Sequence, residues 1–219
     1  MKTAPNEFAA QGSLDEMVAV SAGLRGMAVA LMKIANDMRW LASGPRAGVH
    51  ELRLPANEPR SSIMPGKANP TQQEAMVMVC LQVIGEDSIV AAAGAQGNFE
   101  LNAMRPIIIN NVLHSSRILG DMCEKLHEFS VEGTQLDEAK VSGYVGASLA
   151  LVTALSPTIG YDKASAISHK AVDEGTCLRE AALALGVSVA DFDRIVVPAT
   201  MVGDPCRDLG VEHTHSGQR

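Results

Sequence analysis

The chain has 219 residues, a formal net charge of −7 and a pI of about 5.3. At roughly 100–200 residues per domain, that is one large domain or one and a half. Hydrophobic residues make up 47% but aromatics only 3%. An all-β sandwich or barrel is therefore not expected, nor is an aromatic stacking platform for single-stranded nucleic acid. The acidic balance repels phosphate backbones, so no nucleic-acid partner is expected.

The first residues, Met1-Lys2-Thr3-Ala4-Pro5-Asn6-Glu7, lack the apolar core of a signal peptide. No uninterrupted apolar run approaches the roughly 20 residues of a membrane span, so no membrane partner is expected. Cys80, Cys123, Cys177 and Cys206 are scattered without a C-x-x-C pair. That distribution predicts free thiols in a reducing, cytoplasmic setting and no zinc site. His213 and His215 form an H-x-H in the tail with no further ligand nearby in sequence. They read as solvated tail. No metal and no cofactor is expected.

Ser13-Leu14-Asp15-Glu16 matches an S-x-x-E capping box at the start of a helix. Met17, Val20, Leu24, Met27, Ala28, Leu31 and Met32 follow at helical spacing, and Gly44-Pro45 stops the run. One long helix is predicted from about Leu14 to about Ala42. Residues 44 to 69 hold four prolines and three glycines and read as a long loop, of a length that is usually functional or disordered. Arg46, Arg53, Arg60 and Lys67 face only Glu51 and Glu58 there. A cationic loop on an acidic chain points to a small anionic ligand.

Asn69-Pro70 supplies an N-cap and a first helical residue for a second helix running to Gly94–Gly97. A third helical stretch covers about Leu101 to Phe129, with Pro106 marking a kink or a restart. Beyond Gly133 the helices shorten, to about 137–155, 162–174, 176–185 and 189–195. The fold class predicted is all-α: a long-helix bundle over residues 1–130, a small helical domain over 131–203, and a flexible tail over 204–219.

The chemistry concentrates in Ser61-Ser62-Ile63-Met64-Pro65-Gly66-Lys67-Ala68-Asn69-Pro70. Two hydroxyls, an ammonium and an amide arrive together at a helix N-terminus, whose unpaired N–H groups and dipole favour anions. A phosphate-binding P-loop is excluded, because Ser61 stands where it needs Gly and Ala68 where it needs Ser or Thr. A Pro/Gly turn with capping serines accounts for the same residues, so both readings stand at this point.

With its flanks ANDMRWLASGPRAG and GNFELN, the segment SSIMPGKANPTQQEA closely resembles class II fumarate hydratases. These belong to the fumarase/aspartase superfamily, whose signature reads GSSxMPxKxNP. Later anchors are Leu151-Val152-Thr153-Ala154-Leu155 and Ile159-Gly160-Tyr161-Asp162-Lys163-Ala164. Gly66 and the Asn98-Phe99-Glu100-Leu101-Asn102 segment favour fumarase over aspartase, which remains an alternative within the superfamily.

The resemblance implies metal-free, reversible hydration of fumarate to (S)-malate. It assigns Ser61 as the base and Glu74 as the partner of a catalytic His. Substrate binding falls to Ser62, Lys67, Ala68 and Asn69. It also implies a homotetramer with a dicarboxylate substrate. Two departures stand out. Arg60 replaces the Gly before the first Ser. None of His50, His114, His127, His169, His213 and His215 sits in the family's His-containing context, so the family acid is absent from this chain. The resemblance therefore fits a C-terminal portion, inactive alone. The competing expectation is a catalytically incomplete fragment that only binds dicarboxylates or pairs with an intact enzyme.

Overall fold

The computed structural model describes residues 4–56 and 69–202. The flexible tail assigned to 204–219 lies outside them. The described fold is helical, with one two-residue strand pair, and it divides into two compact units, Met1–Glu138 and Ala139–Arg219.

The first unit opens with a helix the sequence did not announce, α1 (Glu7–Gly12), capped by Asn6, whose Oδ1 accepts the Ala9 N–H at 3.1 Å. Helix α2 runs Asp15–Leu41, close to expectation. Its capping box does not form. Leu14 occupies the cap position without a side-chain bond, and Ser13 Oγ accepts only the Asp15 N–H at 3.2 Å. Ser21, Ala28 and Ala35 are its buried residues. They recur every seventh position and are small, so a neighbouring helix can approach closely along that line.

That neighbour is α3 (Thr71–Gly94), which packs against α2 on one side and α4 (Arg105–Leu126) on the other. Helix α3 starts one residue later than expected. Pro70 takes the cap position and Asn69 makes no cap bond. Pro106 falls in the first turn of α4, so it restarts a helix rather than kinking one, and Ile107–Ile109 are helical. Ala28, Ala35, Met76, Cys80, Val83, Leu119, Met122 and Leu126 form the main core. A second cluster joins Leu14, Val90, Ala93, Ile108 and Val112. Gly94 lets α2 and α3 close up, since a Cβ there would lie 2.7 Å from Val18 Cγ2.

Helix α3 carries two consecutive buried carboxylates. Glu86 accepts hydrogen bonds from Ser115 Oγ and from Gln82 Nε2 (3.0 Å), and lies 2.5 Å from His114 Nδ1. Asp87 accepts from Ser21 Oγ at 2.7 Å and pairs with Arg25 Nε at 2.7 Å. Helices α2 and α3 are long and apolar enough to cross a membrane by length and composition. The same description fits core helices of a folded bundle, and these paired carboxylates tie α3 to both neighbours. The outer faces stay strongly apolar, with Met27, Val29 and Ile34 exposed on α2, Met78 and Leu81 on α3, and Leu113 on α4.

Helix α4 ends in a π-turn, His127–Val131, closed by Glu132 N–H on His127 O at 2.9 Å. Its buried Ser130 takes a hydrogen bond from the buried Gln73 Nε2 in the first turn of α3. After the turn, β2 (Gln135–Leu136) pairs antiparallel with β1 (Leu52–Arg53), inside the stretch expected to be structureless.

The second unit holds most of α5 (Glu138–Ala147), then α6 (Ser156–Ile159), α7 (Tyr161–Glu174), α8 (Leu178–Ala184) and α9 (Val189–Ile195). The single helix expected over 137–155 is broken, and Leu149–Ala154 is 3-10 helix. Leu155, Ile167, Ala171, Leu178, Ala182 and Phe192 form its own core. Gly175, in the left-handed region at φ +63°, terminates α7. Cys177 caps α8 through its Sγ, and Ser188 caps α9.

Burial by itself pushes the Glu86 carboxyl up. The hydrogen bonds from Ser115, Gln82 and His114, and the charge of His114, outweigh that and hold it below the usual carboxylate range. A carboxyl lowered in the folded state stabilises fully above its unfolded value, about 4.3. That contribution is lost as pH falls through the folded value. Acidification from neutral pH is therefore expected to lower the urea midpoint more steeply in the wild type than in Glu86→Gln. Parallel pH profiles would count against this account. Replacing Gln73 with Ala strands the buried Ser130 hydroxyl, and urea denaturation should register a loss of about 1–3 kcal/mol.

Candidate active-site half at the start of helix α3

Helix α3 begins where the signature segment ends. Ser61, Ser62, Lys67 and Ala68 lie outside the described residues. Asn69 and Glu74 are described, and both sit at the N-terminal end of α3. Asn69 is exposed, one residue ahead of the Pro70 cap. Glu74 N–H donates to Pro70 O at 3.0 Å, which starts the helical ladder.

Adjacent helical positions point about 100° apart, and here that divides two jobs. Gln73 turns inward to Ser130 and anchors the first turn. Glu74 keeps a half-exposed side chain, and its Oε1 lies 3.4 Å from Arg39 Nη2. Arg39 also donates through Nη1 to Asn36 Oδ1, at 3.3 Å. The carboxylate is thus held on the open side of the helix, near the positive end of the helix dipole. It keeps lone pairs for a further donor.

The segment after α2 is tightly wound. Ser43 Oγ donates to Trp40 O at 2.6 Å and accepts the Val49 N–H at 3.1 Å. Gly44 has φ +133°. At Gly48 a Cβ would fall 2.5 Å from Ser43 O, so no side chain fits. His50 adopts φ +51°, sparse territory for a residue with a side chain. Arg53 Nε and Nη2 donate to Asp137 Oδ2 at 3.1 and 2.6 Å, which fastens β1 to the chain after β2. A cavity of about 640 Å³ opens beside these residues, lined among others by Asn36, Arg39, Trp40, His50, Arg53 and Pro70. Among the described residues no three His, Cys, Asp or Glu side chains converge as a metal-ion site.

Sequence reasoning missed Arg39, Gln73, Ser130 and Asp137. The only signal for Arg39 was its place in the ANDMRW flank. Arg53 looked like an unpaired loop cation. Its partner lies 84 residues further along the chain.

Two family models match: "Lyase" over residues 1–85 and "Fumarase C C-terminus" over residues 151–203. The class II fumarate hydratase of Methanosarcina acetivorans is 69% identical over 94% of this chain and 43% of its own length. The mitochondrial fumarate hydratase of Dictyostelium discoideum is 53% identical over 92% of the chain and 42% of its own length. The crystal structure of a class II fumarase from Schistosoma mansoni superposes with a TM-score of 0.88 at 42% identity, covering 92% of this chain and 42% of that one. The chain therefore spans less than half the length of the relatives it matches. It belongs to the fumarase/aspartase superfamily, within which it groups with the class II fumarate hydratases.

Proposed function

We propose that this chain supplies the carboxylate-binding and proton-abstracting part of a fumarate hydratase, which interconverts fumarate and (S)-malate. The observation that carries the reading is the near-complete signature, Ser61 to Pro70, arriving at the start of a 24-residue helix in a chain 69% identical to a class II fumarate hydratase.

In the malate direction Ser61 takes a proton from the carbon beside a carboxylate. An ordinary serine hydroxyl is far too weak a base for this. Lys67, loop N–H groups and the N-terminus of α3 supply the positive potential that stabilises its alkoxide form. Lys67, Asn69 and Ser62, with the Ala68 backbone, hold the substrate carboxylate whose charge grows as the proton leaves. Hydroxide then departs from the neighbouring carbon with a proton from an acid, giving fumarate and water.

The acid is a histidine outside this chain, and Glu74 is placed to orient it. A half-exposed carboxylate fixed by Arg39 can accept an imidazole N–H and stabilise the imidazolium. Assembly into a homotetramer brings such a histidine within reach and covers the apolar outer faces of α2, α3 and α4. A cytoplasmic location accompanies this reading.

The test follows fumarate loss by ultraviolet absorbance. The purified chain alone is expected to be inactive. Mixing it with a separately expressed N-terminal portion of a class II fumarate hydratase should restore hydration. In the restored enzyme Ser61→Ala should lower kcat by at least about 10²-fold, the scale of general-base catalysis. Activity in the mixture that survives Ser61→Ala would remove the serine from the mechanism. A mixture that assembles but stays inactive would favour a binding role alone.

A further inference from the structure

We propose that the cavity at the C-terminal end of α2, which borders the signature segment at Pro70, is a second binding site, for a flat aromatic monocarboxylate. Its volume, about 640 Å³, falls in the roughly 300–1,000 Å³ range of small-molecule sites. That is far more room than a four-carbon dicarboxylate fills.

The lining combines an apolar body with converging cationic donors. Trp40, which is 72% exposed, offers an indole face, and Leu52, Leu54 and Pro70 add apolar wall. A guanidinium carries five N–H donors. Among the described residues, Arg53 commits two to Asp137, and Arg39 commits one each to Asn36 and Glu74. Each therefore keeps donors for a ligand oxygen. His50 adds a ring whose Nδ1 is buried without a hydrogen-bond partner among the described residues, on a backbone held at φ +51°.

Charge selects the ligand class. Arg39 and Arg53 are each matched by a carboxylate, Glu74 and Asp137. The four charges cancel, so an incoming carboxylate is held by the remaining guanidinium N–H donors alone, and a second carboxylate would have to share them. One carboxylate on an aromatic ring can take the remaining guanidinium donors and lay its ring on Trp40. Arg39 also fixes Glu74 in the hydratase reading, but the test reads binding at Trp40 and Arg53, which have no role in that reading, so the two can fail separately.

Trp40 is the chain's single tryptophan, so its fluorescence reports this cavity directly. The 219-residue chain would be titrated with phenylacetate, with phenylacetamide as the uncharged match and fumarate as the dicarboxylate. Saturable quenching by phenylacetate is expected. Binding should be about tenfold weaker or worse for phenylacetamide, and for phenylacetate on Arg53→Gln, as expected for loss of a charge-assisted bond. If far-UV circular dichroism shows Arg53→Gln to be unfolded, calorimetry on Trp40→Ala replaces it, with the same tenfold weakening expected. Absence of saturable quenching overturns the proposal. So does equal binding of the amide, binding unmoved by the variant, or equal or tighter binding of fumarate.

Discussion

The first unit depends on how two consecutive carboxylates in the middle of α3 are satisfied. Residues one apart on a helix face different directions, so Glu86 and Asp87 demand partners from different neighbours. Helix α4 answers Glu86 with Ser115 and His114, and α2 answers Asp87 with Ser21 and Arg25. Apolar packing alone is tolerant of sliding, whereas a buried carboxylate left unpaired is not. These contacts therefore set the axial register of both outer helices on the central one. The small-residue line of α2 then falls against Met76, Cys80 and Val83.

That register reaches the start of α3. With α2 fixed lengthwise, Arg39 in its last turn arrives level with Glu74 in the first turn of α3. With α4 fixed, its π-turn delivers Ser130 to Gln73. The side chains that flank the signature segment are positioned by contacts made three turns away along α3. The described part of the site is built on helices, and the strand pair with the Arg53–Asp137 ion pair ties residues 52–53 to the same frame.

Much of this was legible in the sequence because it is local. Helical periodicity located α2, α3 and α4, and Gly44-Pro45 and Pro106 marked a stop and a restart. Short-range polar chemistry was less legible. Ser13 and Asn69 have the residue types of good caps, yet the cap positions fall one residue beyond each, at Leu14 and Pro70; at Leu14 burial in the core outweighs a cap worth about 1 kcal/mol. The long-range pairs were not legible at all. Arg53 with Asp137, Gln73 with Ser130 and Arg39 with Glu74 join positions 35 to 84 residues apart, and no spacing rule connects them. Of the candidate site, the sequence carried the chemical groups of the signature segment, and the described structure adds what holds Glu74 in place.

The π-turn after α4 carries one residue more than an α-helical turn would. It sets the phase of two attachments: Ser130 within the turn, which holds α3, and Asp137 beyond it, which holds β1. An α-helix advances about 100° per residue. Deleting one of residues 127–129 with the π-turn kept would turn Ser130, and the chain after it, away from their partners by about that angle. Chain length across this short stretch is thus constrained more tightly than the identity of most side chains within it. Substitutions at exposed positions such as His127 leave the phase intact, while a single-residue insertion or deletion breaks it.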